Sequence, residues 1–466
     1  MEYLTRTLKY AAARYEFNFH PMCKEVRLAN LMFADDVLIF SRGDASSMML
    51  LLRAFSTFSN ASGLQMSATK SNAYFQGVPE HIKQDILKVS GFVEGKLPFN
   101  YLGMPIQTTR LKKADCECLI EKICSKIHNY GARKFSYAGR LVLVQAVLTN
   151  LHSYWASMFV IPKGIICKIE AVCRNFLWDN SAEYRRVPLV AWDKLSCSKE
   201  EGGLGLKNQE IMNKAMVGRL VHWIMEDKNS IWVQWVKKNY LKGKAWMEYK
   251  PTANSSWVWR RICKVKEEMI PGYNDGTWTA QSEYSPAMGY EWLRERKPAV
   301  PWHKWVWNKH VTPKHQFMGW LYAHGAMRTK DKLIKIGLDV EDSCFMCAQT
   351  AESIDHLMCD CVYNRRIIQE INQKLQLSFP VTDLLGWCTL KTGTKLQKGI
   401  QFALLWGTVY SIWQQRNKSR MEGVLQRPER VAKSVIDEVK ARLNGRDFRM
   451  LTKTDFDWLK FTQLCV

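Results

Sequence analysis

Apolar and polar residues alternate along the start of the chain in two periodicities, one helical and one typical of strands. Leu4, Leu8 and Ala11 recur at helical spacing and predict a helix within residues 1–20. Two apolar runs of strand length then flank the adjacent carboxylates Asp35 and Asp36. Their β-branched and aromatic content predicts a β-hairpin with both acids at or beside its turn.

Three further elements are predicted before residue 108. Asp44 is a good N-cap and Gly63 a good terminator for a helix over residues 45–60. Leu64–Met66 is predicted to be a strand that leads to Lys70. A second short hairpin is predicted between Pro98 and Pro105.

The remaining chain is mainly helical in pattern. Apolar residues at helical spacing cover residues 108–240, and residues 367–466 are also predicted to be helical. Residues 241–301 contain scattered glycines, prolines and aromatics, so we predict an irregular connector with short strands there. With 466 residues, the chain is long enough for several domains, and the predicted fold class is α+β.

The charge balance points to a polyanionic partner. Lys and Arg number 67 against 44 acids, which gives a formal net charge of +23. Seven basic residues cluster within about thirty positions of the first long helical stretch. They could contact phosphates or could simply form the solvated helix face. The seven are Lys112, Lys113, Lys122, Lys126, Arg133, Lys134 and Arg140.

Asp35 and Asp36 are the candidate catalytic residues. Adjacent carboxylates repel each other, and a hard divalent cation such as Mg²⁺ removes that conflict because it prefers carboxylate oxygens. Successive strand residues point to opposite faces, so both acids reach one ion only if the turn bends one of them back. The alternative interpretation is a solvated Asp-Asp turn without function.

A Cys/His pattern later in the chain predicts a metal site. Cys344, Cys347, His356 and Cys361 have the spacing C-x2-C-x8-H-x4-C, which supplies four ligands to one tetrahedral ion, most suitably a structural Zn²⁺. Cys359 competes with Cys361 for the fourth position. The alternative is a set of unlinked reduced thiols and a core histidine.

Other features concern location. No apolar run is long enough to span a bilayer, and the N-terminus lacks the basic-then-apolar order of a signal peptide. The 14 cysteines without such a signal favour reduced thiols. These observations predict an intracellular protein of the nucleus or cytoplasm that is neither secreted nor bound to membranes.

Several motifs, in their order along the chain, resemble the reverse transcriptases of plant LINE-type (non-LTR) retrotransposons. The resemblance covers essentially the whole chain. Its segments are Leu4–Arg6, His20–Pro21, Phe33–Asp36, Ser62–Leu64 with Lys70–Ser71, Pro98–Gly103, Ser136–Arg140, Phe176–Trp178 and Lys199–Gly205. The Cys/His region resembles the zinc-binding domain that follows these enzymes through Trp302, Trp305, Trp307, Pro313, Lys314, Phe317, Trp320, Leu321, Thr329, Leu333, Glu352, His356 and Leu357.

The resemblance implies a domain order. It assigns residues 1–107 to a partial palm, 108–240 to a helical thumb and its extension, and 302–366 to the zinc-binding domain. Residues 241–301 are then the connector and 367–466 a helical C-terminal region. The partners implied are an RNA template and a DNA primer, or an RNA–DNA hybrid. Lys330, Lys332, Lys335, Arg365 and Arg366 surround the zinc module and are candidates for contacting them.

The resemblance also implies roles. Asp35 and Asp36 would bind Mg²⁺, and Lys70 would lie near the incoming triphosphate. The fingers and the palm strand with the other metal-binding aspartate are expected to be missing. We therefore expect a reverse-transcriptase fragment that binds nucleic acid and zinc but has lost polymerase activity. The rival hypotheses are a non-enzymatic zinc-stabilised binding protein and an enzyme completed by a separate fragment.

Overall fold

A computed structural model describes residues 2–131, 135–183, 187–278, 283–378, 383–389, 393–444 and 452–464. Helices dominate, and six short strands pair into two-stranded sheets among these residues, so the fold class is α+β as predicted. The strands are β1 (Asn30–Phe33), β2 (Asp36–Ile39), β3 (Asn72–Ala73), β4 (Val93–Glu94), β5 (Phe99–Tyr101) and β6 (Met104–Ile106).

The helices run through the whole described chain. They are α1 (Glu2–Ala12), α2 (Ala45–Ser62), α3 (Glu80–Ser90), α4 (Glu117–Gly131), α5 (Tyr137–Ala146), α6 (Ser153–Met158), α7 (Lys163–Asp179), α8 (Trp192–Leu195), α9 (Gln209–Met225), α10 (Ile231–Val236), α11 (Trp257–Asn274), α12 (Pro286–Leu293), α13 (His303–Val306), α14 (Pro313–Ala323), α15 (Lys330–Lys335), α16 (Val362–Leu375), α17 (Leu384–Thr389), α18 (Lys395–Glu422), α19 (Pro428–Asn444) and α20 (Lys453–Phe461). Single π-helical turns occupy Lys237–Leu241 and His356–Asp360.

The chain divides into two compact units, each built from three separate segments. Unit 1 holds Met1–Glu117, His152–Ile165 and Glu210–Arg294. Unit 2 holds Cys118–Leu151, Ile166–Gln209 and Glu295–Val466.

Unit 1 contains two hydrophobic clusters. In the first, α1 packs against α2, and the buried side chains include Leu8, Leu51 and Phe58. The second joins α9, α10 and α11 around residues such as Trp259 and Met269. Trp223, Trp232 and Trp235 are partly buried and pack against this cluster.

Unit 2 is organised around α18. This helix packs against α14 and α19, and α16 packs against α19. Trp320 and Trp406 are fully buried in these helices. Phe176, Trp178 and Trp192 are buried as well.

Local features of the sequence predicted several elements correctly. The Asp44 side chain accepts a hydrogen bond from the Ser47 N–H at the start of α2, and Gly63 ends that helix at φ 72°. Both predicted hairpins are present, with Phe33 opposite Asp36 in β1–β2 and Tyr101 opposite Met104 in β5–β6.

Two predictions are wrong. Leu64–Met66 is irregular rather than a strand, and Lys70 ends a short 3₁₀ turn. Residues 241–301 contain the long helix α11 and the helix α12, with no strand among the described residues of this stretch. Ser256 caps α11 by accepting from the Trp259 N–H, and Pro271 falls in the last turn, where it interrupts little of the helix.

Candidate metal centre

Four side chains of unit 2 converge on one point. One ligand atom each of Cys344, Cys347, His356 and Cys361 lies within 4.8 Å of those of the other three. The Cys347 Sγ and the His356 Nε2 are 3.4 Å apart. Among the described Cys, His, Asp and Glu side chains, these four form the group that is close enough together to hold one metal ion.

The first two ligands lie on a tight knuckle. A β-bridge joins Ser343 to Ala351, and the Cys344 N–H donates to the Thr350 carbonyl at 2.8 Å. The Ala348 N–H donates to the Cys344 carbonyl at 2.9 Å, which closes the turn. The Met346 N–H points at the Cys344 Sγ from 3.4 Å. Backbone donors aimed at sulfur favour the thiolate, which is the form that binds metal.

The other two ligands bracket the second π-helical turn. His356 begins this turn, and Cys361 follows it as the residue before α16. The Cys361 N–H donates to the His356 carbonyl at 2.7 Å, so the two residues are held at a fixed separation. The Thr350 hydroxyl lies 2.9 Å from the His356 Nδ1 and 3.3 Å from its Nε2, so it holds the imidazole ring beside the knuckle.

The pKa values of two cluster thiols, Cys344 and Cys361, depend on a hydrogen bond between them. A hydrogen bond with the Cys361 thiol lowers the pKa of Cys344. The same bond, together with burial, raises the pKa of Cys361. Cys359 is outside the cluster, and burial raises the pKa of its thiol to about 11. The structure therefore places Cys361, and not Cys359, with the other three residues.

The donor set fits zinc. In a tetrahedron with Zn–S of about 2.3 Å and Zn–N of about 2.0 Å, a sulfur and a nitrogen lie about 3.5 Å apart. The observed 3.4 Å between Cys347 and His356 agrees with that separation. Because all four positions would be filled by protein, such an ion stabilises the fold and offers no open position to a substrate.

A buried ion pair supports the knuckle. The Arg416 Nη2 lies 2.6 Å from the Glu352 Oε1, and both side chains are almost fully buried. The Arg416 guanidinium also lies over the Phe345 ring, on the knuckle between Cys344 and Cys347, at 5.1 Å. Ser419 donates to the Phe345 carbonyl at 2.9 Å. The metal centre is thereby fixed to α18.

Lys330 belongs to this support and not to the surface. Its backbone N–H donates to the Glu352 Oε1 at 3.0 Å, and its ammonium lies 3.7 Å from the centre of the Phe345 ring. Its burial contradicts the expectation that it is available to nucleic acid. Lys335, Arg365 and Arg366 are exposed, although Arg365 pairs with Asp360 at 3.0 Å.

Asp35 and Asp36 lie at the tip of the β1–β2 hairpin. Ala34 and Asp35 form the two-residue turn, with Ala34 at φ 53°, and both carboxylates are exposed. Burial, followed by the negative charge of Asp36, raises the pKa of Tyr101 in the second hairpin. Among the described residues, no third metal-ligating side chain groups with the two acids.

The basic residues predicted to bind nucleic acid differ in their exposure to solvent. Lys112, Lys113, Lys122 and Lys126 are exposed, as is Lys70. Arg140 is buried, and its guanidinium lies over the Tyr137 ring at 4.3 Å and donates to the Phe176 carbonyl, which removes it from any phosphate-binding surface. Arg133 and Lys134 lie outside the described residues.

Sequence reasoning missed the residues that support the metal centre. Arg416 is 64 residues from Glu352, and nothing in their spacing indicates a pair. Arg416 follows the apolar stretch of α18 in the polar run from Gln414 to Lys418, so its burial has no signal in the sequence.

Comparisons with known proteins agree with this geometry. Residues 284–367 match the family described as zinc-binding in reverse transcriptase, and all four cluster residues lie within that range. This part of the chain is therefore related to reverse-transcriptase proteins.

Two curated relatives come from Arabidopsis thaliana. A putative ribonuclease H protein is 30% identical over 158 residues, which are 33% of this chain and 26% of that protein. An uncharacterized mitochondrial protein is 27% identical over 120 residues, which are 26% of this chain and 78% of that protein. The match thus spans about a quarter of the first relative's length. Among the described residues, no helix is both long and apolar enough to cross a membrane.

Proposed function

We propose that this chain is part of a LINE-type retrotransposon reverse transcriptase of plant origin. It binds RNA–DNA hybrid and one structural Zn²⁺, and these residues alone do not polymerise DNA. The observation that carries the proposal is the four-ligand Cys/His cluster within the residues that match the zinc-binding family of reverse transcriptases. The two Arabidopsis relatives support the plant origin.

The proposed polymerase residues are Asp35 and Asp36. Two-metal catalysis clamps the attacking and leaving oxygens between divalent ions, and it needs carboxylates from more than one strand. The β1–β2 hairpin presents two exposed carboxylates that could bind Mg²⁺. Lys70 would contact a triphosphate. The absence of a third carboxylate beside this pair, among the described residues, supports an incomplete site.

The proposed nucleic-acid contacts are basic. Lys112, Lys113, Lys122 and Lys126 are exposed, and the net charge of +23 favours a polyanion. The thumb assignment for residues 108–240 and the other predicted boundaries belong to this proposal. A location inside the cell, in the nucleus or cytoplasm, is supported by the described cysteines, none of which pairs with another in a disulfide.

A second candidate function is a zinc-stabilised binding protein in which Asp35–Asp36 has no role. The observation that favours it is that both carboxylates are exposed at a hairpin tip. The two candidates differ in what happens when the missing carboxylates are supplied by an added upstream fragment.

Primer extension tests the proposal. The purified chain and an Asp35→Ala/Asp36→Ala variant are given an RNA template, a DNA primer and Mg²⁺, and hybrid binding and zinc content are measured in parallel. We expect about one zinc per chain, salt-sensitive hybrid binding by both proteins and extension by neither. Extension by the unsubstituted chain that disappears in the variant would refute the proposal that the chain does not polymerise DNA. Absence of hybrid binding would refute the proposal that it binds nucleic acid. Extension restored only with an added upstream fragment would reject the second candidate.

A further inference from the structure

One face of α11 is basic and turned away from the core. Trp257, Arg260, Arg261 and Lys264 have the spacing i, i+3, i+4, i+7, which places them on one side of a helix. Arg260 and Lys264 are exposed, and Trp257 and Arg261 are partly exposed. The core side of the helix carries the buried residues Trp259, Ile262, Cys263, Val265 and Met269.

A second segment of unit 1 reaches this face. Arg110, in the loop after β6, places its guanidinium 5.8 Å from the centre of the Trp257 ring, and Arg261 lies 5.4 Å from the same ring. Asp115 fixes that loop by accepting from the Lys112 N–H at 2.7 Å and from Gln107 at 3.0 Å. Arg110 and Lys112 are both exposed. Two separate segments thus bring cations to one tryptophan.

These cations have no acidic partners. Within the part of the chain that the structure describes, no ion pair is formed by any of the five basic residues Arg110, Lys112, Arg260, Arg261 and Lys264. Glu268, further along α11, is neutralised by Lys214 at 2.9 Å, and Glu267 lies one turn beyond Lys264. Like charges four residues apart on a helix, such as Arg260 and Lys264, repel each other and reduce helix stability. A bound anion would remove that cost.

We propose that this Trp257 surface, formed by Arg110, Lys112, Trp257, Arg260, Arg261 and Lys264, binds the phosphate backbone of a nucleic-acid strand. The inference rests on the proposed function and extends the predicted contacts, which already include Lys112, to Arg110 and to α11, which follows the predicted thumb in the chain. A guanidinium held over an aromatic ring by a cation–π contact still has N–H groups that can donate to phosphate. Trp257 therefore orients two arginines, and the lysines add point charges.

The extent of the surface favours a polynucleotide over a single phosphate. Residues 257 to 264 cover about 10 Å along the helix axis. That length corresponds to about three nucleotide steps at roughly 3.4 Å per step along one strand. A free phosphate would occupy one arginine pair and leave Arg260 and Lys264 without a partner.

Salt-dependent binding tests the surface. An Arg110→Gln/Arg261→Gln variant of the full chain is compared with a Lys88→Gln/Lys96→Gln control, using fluorescence anisotropy with a labelled RNA–DNA hybrid. Both variants lose two positive charges from unit 1, and Lys88 and Lys96 are exposed and away from Trp257 in sequence. We expect the arginine variant to bind at least about tenfold more weakly at low salt. The slope of log K against log salt should also fall by about 2. The control should change little.

A second pair of variants isolates the tryptophan. Trp257→Ala should weaken binding about as much as loss of the arginines, whereas Trp257→Phe should retain most of it because the ring is kept. Thermal melting and zinc content, which must match the unsubstituted chain, show that each variant is folded.

Each failure has a distinct meaning. If the unsubstituted chain does not bind hybrid, the proposed function fails. If it binds and the arginine variant behaves like the lysine control, or Trp257→Ala binds normally, the Trp257 surface is rejected on its own. Binding to anionic lipid vesicles that weakens in the same variants by the same factor would also reject a nucleic-acid site.

Discussion

Cys347 and Cys359 lie in the same module, yet only Cys347 faces the other ligands. Its Sγ is 3.4 Å from the His356 Nε2, whereas Cys359 is buried outside the cluster. Cys347→Ser should therefore abolish stoichiometric zinc and lower the melting temperature, because zinc binding supplies much of the folding free energy of such modules. The matched variant Cys359→Ser should keep about one zinc per chain. Metal analysis by mass spectrometry and thermal melting measure both effects.

The reverse result would change the ligand set. If Cys359→Ser loses zinc while Cys347→Ser retains it, Cys359 binds the metal, Cys347 does not, and the four-residue cluster is not the binding site. About one zinc per chain in both variants would show that the metal binds elsewhere.

At the residue level, the sequence predicted what was close along the chain. The four cluster residues fall within 18 positions, so their spacing alone placed them together. Arg140 could not be separated from its lysine neighbours, because a basic residue in a helix looks the same whether it is solvated or stacked on Tyr137. The pairing of Glu352 with Arg416 depends on tertiary packing, which spacing does not encode.

Among the elements, α4 carries the clearest test of the thumb assignment. Lys122 and Lys126 are exposed one turn apart and flank the buried stripe of Leu119, Ile123 and Ile127. Lys122→Glu/Lys126→Glu should weaken hybrid binding and flatten its salt dependence, since two phosphate contacts become repulsive. Anisotropy titrations at two salt concentrations measure this. Lys88→Glu/Lys96→Glu is the control with the same charge change, and an equal loss in both variants would reject a specific contact by α4.

Turns and caps explain which elements were predictable. The hairpins and α2 depend on local chemistry at Asp35–Asp36, Asp44 and Gly63, which can be read without knowing the fold. The helix α11 was missed because the prolines and glycines between 241 and 301 outweighed its periodicity. Its Ser256 cap and the buried stripe from Trp259 to Met269 were present in the sequence. Leu64–Met66 stays irregular because no strand among the described residues pairs with it.

At the scale of the whole molecule, the sequence did not predict how segments combine. Each unit is assembled from three segments that are far apart in the chain, and no local pattern specifies that arrangement. Unit 2 shows the consequence, because the zinc knuckle is tied to α18 by the Arg416–Glu352 pair and by the bond from Ser419 to Phe345. The residues that match the zinc-binding family end at 367, before α18 begins.

This connection predicts that zinc stabilises more than its own module. Breaking a buried ion pair by removing one partner costs about 3–5 kcal/mol, because the other charge is left buried. Glu352→Gln should therefore lower the free energy of unfolding and speed hydrogen exchange in the knuckle and in α18. Removal of zinc with a chelator should speed exchange in the same segments, because the knuckle holds Phe345 against Arg416.

Hydrogen exchange followed by mass spectrometry distinguishes this coupling from general destabilisation. The helix α11 lies in unit 1 and makes no contribution to the zinc knuckle, so its peptides serve as the internal control. Faster exchange in residues 343–361 and 412–422 with unchanged exchange in α11 would support a link from the metal to α18. Faster exchange confined to residues 343–361 would show that the zinc module opens independently and that the Glu352–Arg416 pair does not transmit the effect of the metal.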